Sequence, residues 1–209
     1  MRNTYSGCIN LVTAVCDNNV TNMTNTYRNC TSLTTAVCGE KVNNMTSTYS
    51  GCTSLTTAIC GNNVTDMINT YFGCTSLTTA VCGDNVTNMR NTYRNCTNLV
   101  TAVCGNNVKY LMNTYENCPI QGNVYIYPAS ITNITGCFKG RPTTNILNIY
   151  ALSNSNTLTK LKWTNGRGIL GATVTWTEDT TNSCFYNTAQ NVYIYPVANV
   201  EEARIANGD

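Results

Sequence analysis

From Leu77 to Asn98 the apolar positions change spacing once, and the change divides the segment into two kinds of element. Leu77, Ala80 and Cys82 fall at intervals of three and two, with Thr79 and Val81 alternating between them, which predicts a short strand with one buried and one outward side. Val86, Met89, Tyr93 and Cys96 follow at intervals of three, four and three, the apolar stripe of a short helix. Gly83 stands between them, in a column shared with Asp17, Gly39, Gly61 and Gly105, residue types that accept positive φ and so predict a sharp turn. Asn85, in the column of Asn19, Lys41, Asn63 and Asn107, is placed to cap the helix N-terminus. The column Gly7, Asn29, Gly51, Gly73, Asn95, Asn117 holds only glycine and asparagine, which fits a left-handed residue at the helix C-terminus.

This 22-residue unit is written six times between Asn3 and Ile134, with Tyr5, Tyr27, Tyr49, Tyr71, Tyr93 and Tyr115 in one column and Cys8, Cys30, Cys52, Cys74, Cys96 and Cys118 in another. A unit this short cannot close its own core, so each is expected to be one coil stacked on its neighbours. The regular part spans residues 1–122. Residues 123–209 are expected to form longer, less regular coils with strands near residues 123, 146, 172 and 191, the first and last carrying the same hexapeptide, Asn-Val-Tyr-Ile-Tyr-Pro. A separate small β domain from about residue 139 is the competing arrangement. Val200 to Ala206 is expected to form a polar helix that covers the last coil. No cap precedes the first coil, so its open strand edge is expected to meet an upstream part of a longer protein or a second copy.

The motif C-x-x-L-x-x-x-V-C-G-x-x-V-x-x-M-x-x-T-Y, as read from Cys74 to Tyr93, resembles the BspA-like leucine-rich repeats of bacterial surface proteins, in the Asn/Thr/Cys-rich form found in gut bacteria, their prophages and phages. It departs from the usual repeat, which has an isoleucine and a proline, by its paired cysteines. The expected fold is an α/β solenoid, a right-handed leucine-rich-repeat coil with a parallel β-sheet on one face and short helices on the other. The resemblance implies a noncatalytic adhesion or recognition module, extracellular or virion-associated within a larger assembly, with a host-surface protein or glycan as partner. It supplies no binding residues.

Composition narrows the chemistry. With 11% charged residues and a net charge of +2 there is no basic stripe to hold nucleic acid. No run approaches the length that crosses a bilayer, and the N-terminus has no signal-peptide core. Of thirteen cysteines, eleven fall in the two columns through Cys8 and Cys16, where reduced thiols acting as small core hydrophobes are favoured over disulfides, and the spacings match no zinc pattern. The chain has no histidine, its adjacent carboxylates Glu178–Asp179 and Glu201–Glu202 should diverge, and thiols in apolar columns make poor nucleophiles. No enzyme, cofactor or metal is expected. The Asn-x-Thr triplets at Asn19, Asn29, Asn63, Asn85 and Asn95 follow from composition.

Two surfaces remain as candidates. Thr13, Thr35, Thr57, Thr79 and Thr101 should line the outer side of the sheet beside Val15, Val37, Ile59, Val81 and Val103, either as ordinary exposed strand residues or as a flat platform for a repetitive ligand such as a glycan polymer, a partner solenoid or ice. If Val124, Ile126, Val192 and Ile194 point inward, then Tyr125, Tyr127, Tyr193 and Tyr195 point outward with Tyr150 beside them. That cluster is either a recognition site or a ladder that shields the sheet.

Overall fold

The strand segment of each coil pairs in parallel with its equivalent one unit on. β1 (Thr13–Val15) and β2 (Thr35–Val37) place Thr13 opposite Thr35, Ala14 opposite Ala36 and Val15 opposite Val37, and Thr57 pairs likewise with Thr79. A second parallel ladder of single-residue bridges runs Asn22, Asn44, Asp66, Asn88, Tyr110, Asn133. Identical letters therefore lie in straight rows. The computed structural model describes residues 1–57, 59–80, 82–163, 168–171 and 173–208; Val81 of the outward row and Ala172, at the start of the expected third C-terminal strand, lie outside them.

The expected back-face helices are not formed: among the described residues of the regular coils, the segment after each bridge is a string of turns. Its apolar stripe still faces inward, since Val86, Met89, Tyr93 and Cys96 are all fully buried. What breaks the helix is a left-handed residue in its middle, the column Asn3, Asn25, Ser47, Asn69, Asn91, Asn113, each with φ of 53–54°. A second left-handed residue follows four positions later at Asn29, Asn95 and Asn117 and at the glycines Gly7, Gly51 and Gly73, where one was expected. Alternate amides then serve different partners. Thr26, Arg28 and Cys30 donate back to Met23, Asn25 and Tyr27 within the coil, whereas Asn25, Tyr27 and Asn29 donate across to Thr46, Thr48 and Ser50 of the next. A helix would have kept both sets to itself; here half of them join the stack.

Two other sequence expectations are corrected. Gly39, Gly61, Gly83 and Gly105 are absent from the positive-φ residues, so their role is space rather than backbone freedom. A Cβ at Gly39 would lie 2.5 Å from the Asp17 carbonyl oxygen, and one at Gly61 3.2 Å from Cys38 Sγ. Likewise Asn63, Asn85 and Asn107 are not N-caps: their side-chain amides donate to the carbonyls of Glu40, Asn62 and Asp84 in the preceding coil.

The interior is a set of files. Tyr5, Tyr27, Tyr49, Tyr71, Tyr93, Tyr115 and Phe138 stack with ring centroids 5.4 to 5.8 Å apart. Beside them Thr48, Thr70, Thr92 and Thr114, wholly buried, donate to the carbonyls of Met23, Met45, Met67 and Met89 at 2.8 to 2.9 Å. The thiols of Cys30, Cys52, Cys74, Cys96 and Cys118 donate to the carbonyls of Tyr5, Tyr27, Tyr49, Tyr71 and Tyr93 at 2.9 to 3.1 Å. An aliphatic residue would fill that volume but could not donate, which is a physical reason for cysteine here. The second file lies at the core boundary, with Cys16 and Cys60 buried and Cys38, Cys82 and Cys104 half-buried. All thirteen cysteines are free thiols.

Beyond residue 121 the sheet widens. β3 (Gly122–Ile126), β4 (Leu147–Leu152), β5 (Thr177–Asp179), β6 (Cys184–Asn187) and β7 (Val192–Val197) lie in the order β3-β4-β7-β6-β5. β3, β4 and β7 are parallel, while β6 and β5 are antiparallel additions at the outer edge. The expected coil strand near residue 172 is thus corrected: the second hexapeptide docks directly against β4, and residues 177–187 fold out as a hairpin. Asp179 drives that reversal by accepting from the amides of Thr181 and Asn182, with Ser183 left-handed at φ 51°. The sheet ends on a three-residue strand carrying Glu178 and Asp179, a short charged edge that discourages further pairing. The buried guanidinium of Arg141 ties the strand entries together by donating to the carbonyls of Ile120, Gln190 and Asn145.

Two helices complete this end. α1 (Asn156–Leu161) is capped by Ser155 and buries Leu158 and Leu161. α2 (Val200–Ala206) forms where expected, with Asn199 accepting from Glu201 and Glu202, but it packs back on β3 and β4 instead of covering the last coil.

Candidate functional site

The inward residues of the three parallel strands, Val124, Ile126, Leu147, Ile149, Ala151, Val192 and Ile194, are buried and belong to the same core as the regular coils. Strand alternation then forces the residues between them outward. Parallel register places Tyr125 opposite Tyr150 and Tyr150 opposite Tyr195, and the three rings stack at 5.1 and 4.9 Å. Tyr193 lies one row over and stacks on Tyr195 at 6.5 Å. Four of the five expected tyrosines thus form one half-buried surface.

The fifth is partly diverted. Tyr127, just past β3, donates its hydroxyl to Glu201 Oε2 of α2 at 2.8 Å, and Glu201 in turn pairs with Arg204 at 2.6 Å. The bonds from Arg204 and then Tyr127 hold the Glu201 carboxyl down to about 2, while desolvation and the bond to Glu201 raise the Tyr127 phenol. Desolvation likewise raises Tyr195, so both hydroxyls remain protonated donors across the physiological range.

Sequence reasoning missed Tyr186, which stacks on Tyr193 at 6.1 Å from the antiparallel hairpin, and the amide pair in which Asn148 donates to Asn123 at 3.1 Å. The Asn pair was legible as the first residue of the hexapeptide and its counterpart in β4. Tyr186 was not, because nothing in the sequence announces which strand lies outside β7.

The rings stack on one another, so most of their faces are occupied. What the surface presents is a row of ring edges and hydroxyls. Such a surface offers shape and hydrogen bonds. Of the carboxylates beside it, Glu178 and Asp179 alternate along β5, and Asp179 is committed to its own turn. Burial pushes Cys38 up to about 11 and Cys52 up to about 12, which keeps both as unreactive thiols. Among the described residues, no group of three or more metal-binding side chains occurs and no helix is long and apolar enough to cross a membrane.

The threonine rows are regular. Thr35, Thr57, Thr79 and Thr101 are all exposed, and Thr35 and Thr79 pair in register with Thr13 and Thr57. Val15, Val37 and Ile59 are exposed beside them. Thr101 and Val103 lie outside regular strand, and Val103 is half-buried, with its backbone bonded to the hydroxyl of Tyr115.

The repeats match a known family. A family model described as a BspA type leucine rich repeat region matches in six copies, over residues 1–100 and 46–145. A solved leucine-rich repeat protein from Bacteroides ovatus aligns with 74% of this chain and 53% of its own, at 16% identity and a TM-score of 0.42. The chain therefore spans about half the length of that protein. No curated protein matches.

Proposed function

Because the chain belongs to the family of BspA-type leucine-rich repeats, we propose that it is a noncatalytic recognition module that attaches a larger extracellular or virion-associated assembly to a host-surface protein or glycan. The observation that carries this reading is the half-exposed tyrosine surface of Tyr125, Tyr150, Tyr195 and Tyr193. Rings held by their neighbours lose little freedom on binding, and a phenol brings both apolar area and a hydrogen-bonding tip to one contact. The uniform rows of Thr35, Thr57, Thr79 and Thr101 fit a spacer or lattice-matching face better, since repetition leaves nothing to distinguish one irregular epitope from another.

A second reading, a self-assembling stalk element, is favoured by the first coil. There Tyr5 is 41% exposed at the end of a stack whose inner members are buried, with Ile9 at 59% and Val12 at 54%. One experiment separates the two readings. The protein and a Tyr125→Ala/Tyr150→Ala/Tyr195→Ala variant are applied to a glycan array and to a panel of bacterial cells, with light scattering on the same samples. Attachment by the parent and its loss in the folded variant supports recognition. Attachment that survives the substitutions removes the tyrosine surface from the proposal, and concentration-dependent self-association without attachment favours the stalk.

A further inference from the structure

The Asx ladder along the second face of the coils is broken once. At Asn22, Asn44, Asp66, Asn88 and Asn133 the side-chain Oδ1 accepts from the amide two residues on, that of Thr24, Thr46, Ile68, Arg90 and Thr135 respectively. Tyr110 occupies the remaining rung and has no such oxygen, so Met112 lacks the acceptor that its counterparts use. Tyr110 is 41% exposed. A local rule is given up in one coil, and large apolar surface appears in its place.

The exchange coincides with a notch of about 290 Å³ lined by Ile68, Asn88, Arg90, Tyr110, Met112 and Asn133. Asn88 Oδ1 takes the Arg90 amide, while Asn133 Oδ1 takes that of Thr135 and its Nδ2 donates to Met112 Sδ at 3.8 Å. The lining is otherwise mainly apolar, a tyrosine ring, a methionine and an isoleucine, and Arg90 is its one charged residue. No carboxylate lines the notch, and Asp66, one rung further along, already accepts from Ile68 and Thr46. An apolar side chain next to a negative charge matches this lining, whose one charged residue is a cation.

We propose that this notch is a docking site, separate from the tyrosine surface, for a segment of a partner protein that carries an aromatic or aliphatic side chain flanked by carboxylates. The apolar side chain sits against Tyr110, Met112 and Ile68, and Arg90 pairs with an acid beside it. The site is independent of the reading of the tyrosine surface.

The methionine methyl groups provide the test. Met23, Met45, Met67 and Met89 are buried and Met1 lies against Asn22 in the first coil, so in protein labelled with ¹³C at the methionine methyls the Met112 signal, assigned by its loss in Met112→Leu, reports the notch. The probe is the blocked tripeptide acetyl-Asp-Phe-Asp-amide, with acetyl-Asn-Phe-Asn-amide and cello-oligosaccharide as comparisons. The acidic peptide should shift Met112 saturably. The Asn peptide and the Arg90→Gln variant should each bind about fivefold more weakly, as expected for an exposed ion pair. Tyr110→Asn should abolish the shift while raising the melting temperature, because it restores the missing Asx bond, and Tyr150→Ala should leave binding unchanged. The proposal is overturned by any of three results: no saturable shift at millimolar peptide, equal binding of the Asn peptide, or a Met112 shift from the oligosaccharide alone.

Discussion

The protein holds two tyrosine ladders that differ in almost nothing but their surroundings. In the regular coils the rings from Tyr27 to Tyr115 stack 5.4 to 5.7 Å apart; in the C-terminal sheet Tyr125, Tyr150 and Tyr195 stack 4.9 to 5.1 Å apart. In both cases the spacing is imposed by the separation of parallel strands or coils, since in-register copies bring like residues together. The first ladder points inward and its hydroxyls must find carbonyls, as Tyr71 does at Ile59 and Tyr115 at Val103. Tyr49, whose hydroxyl is buried without a partner, shows what the arrangement costs where the fit fails. The second ladder points outward, and its rings lie half-buried at the surface. Stacking by itself says nothing about role; the side of the strand decides it.

Alkaline pH should separate the two ladders most sharply. Burial raises the interior phenols and thiols above their unfolded values, with Tyr27 and Cys52 at about 12 and Cys38 at about 11, against 10.0 and 9.0. Groups raised in this way contribute stability that is complete below the unfolded pKa and is lost as pH climbs through the folded one. The melting temperature should therefore fall progressively between pH 9 and 12, with phenolate absorbance from the interior ladder rising as circular dichroism is lost. Full ionisation of all thirteen tyrosines in a chain that keeps its native spectrum would contradict the buried ladder.

Next in size is a matched pair of substitutions. Tyr71→Ala, in the middle of the interior file, should cost roughly 3 to 5 kcal/mol in urea denaturation, the range for removing a large buried aromatic. Tyr150→Ala, half-buried between two outward rings, should cost about 1 to 2 kcal/mol. Equal costs would mean that the two ladders are not energetically distinct.

The smallest effect probes the turns that replace helices in the regular half. Asn91 sits at φ 53°, so Asn91→Ala should lose about 1 to 2 kcal/mol, whereas Asn91→Gly, which accepts that backbone freely, should lose much less. In a helix the order would reverse, alanine being the better residue by about 1 kcal/mol. Thermal melts of the two variants therefore discriminate turn from helix.

That last contrast marks where sequence reading stopped. The inward stripe Val86, Met89, Tyr93, Cys96 is common to a helix and to a string of turns, because both return the chain to the core every three or four residues. The deciding column, five asparagines and a serine from Asn3 to Asn113, was present in the sequence but lay in the middle of an otherwise good helical pattern. The Thr26, Thr48, Thr70, Thr92, Thr114 column was equally visible, an unvarying polar residue beside an unvarying tyrosine, and proves to be a buried hydrogen-bond file. In the C-terminal part, alternation within the hexapeptides identified the outward tyrosines correctly. It could not reveal that the second copy skips the intervening chain to lie on β4, or that Tyr186 would join from a hairpin.

By itself the sequence determined the period, the in-register rows and the division of each row into core and surface, because periodic burial needs only local spacing and a stack of like units. Tertiary structure alone decided the course of the back face, the order of the last strands and the notch at Tyr110. Those depend on which backbone groups and side chains from distant coils meet, and a hydrogen bond between coils depends on both of its ends.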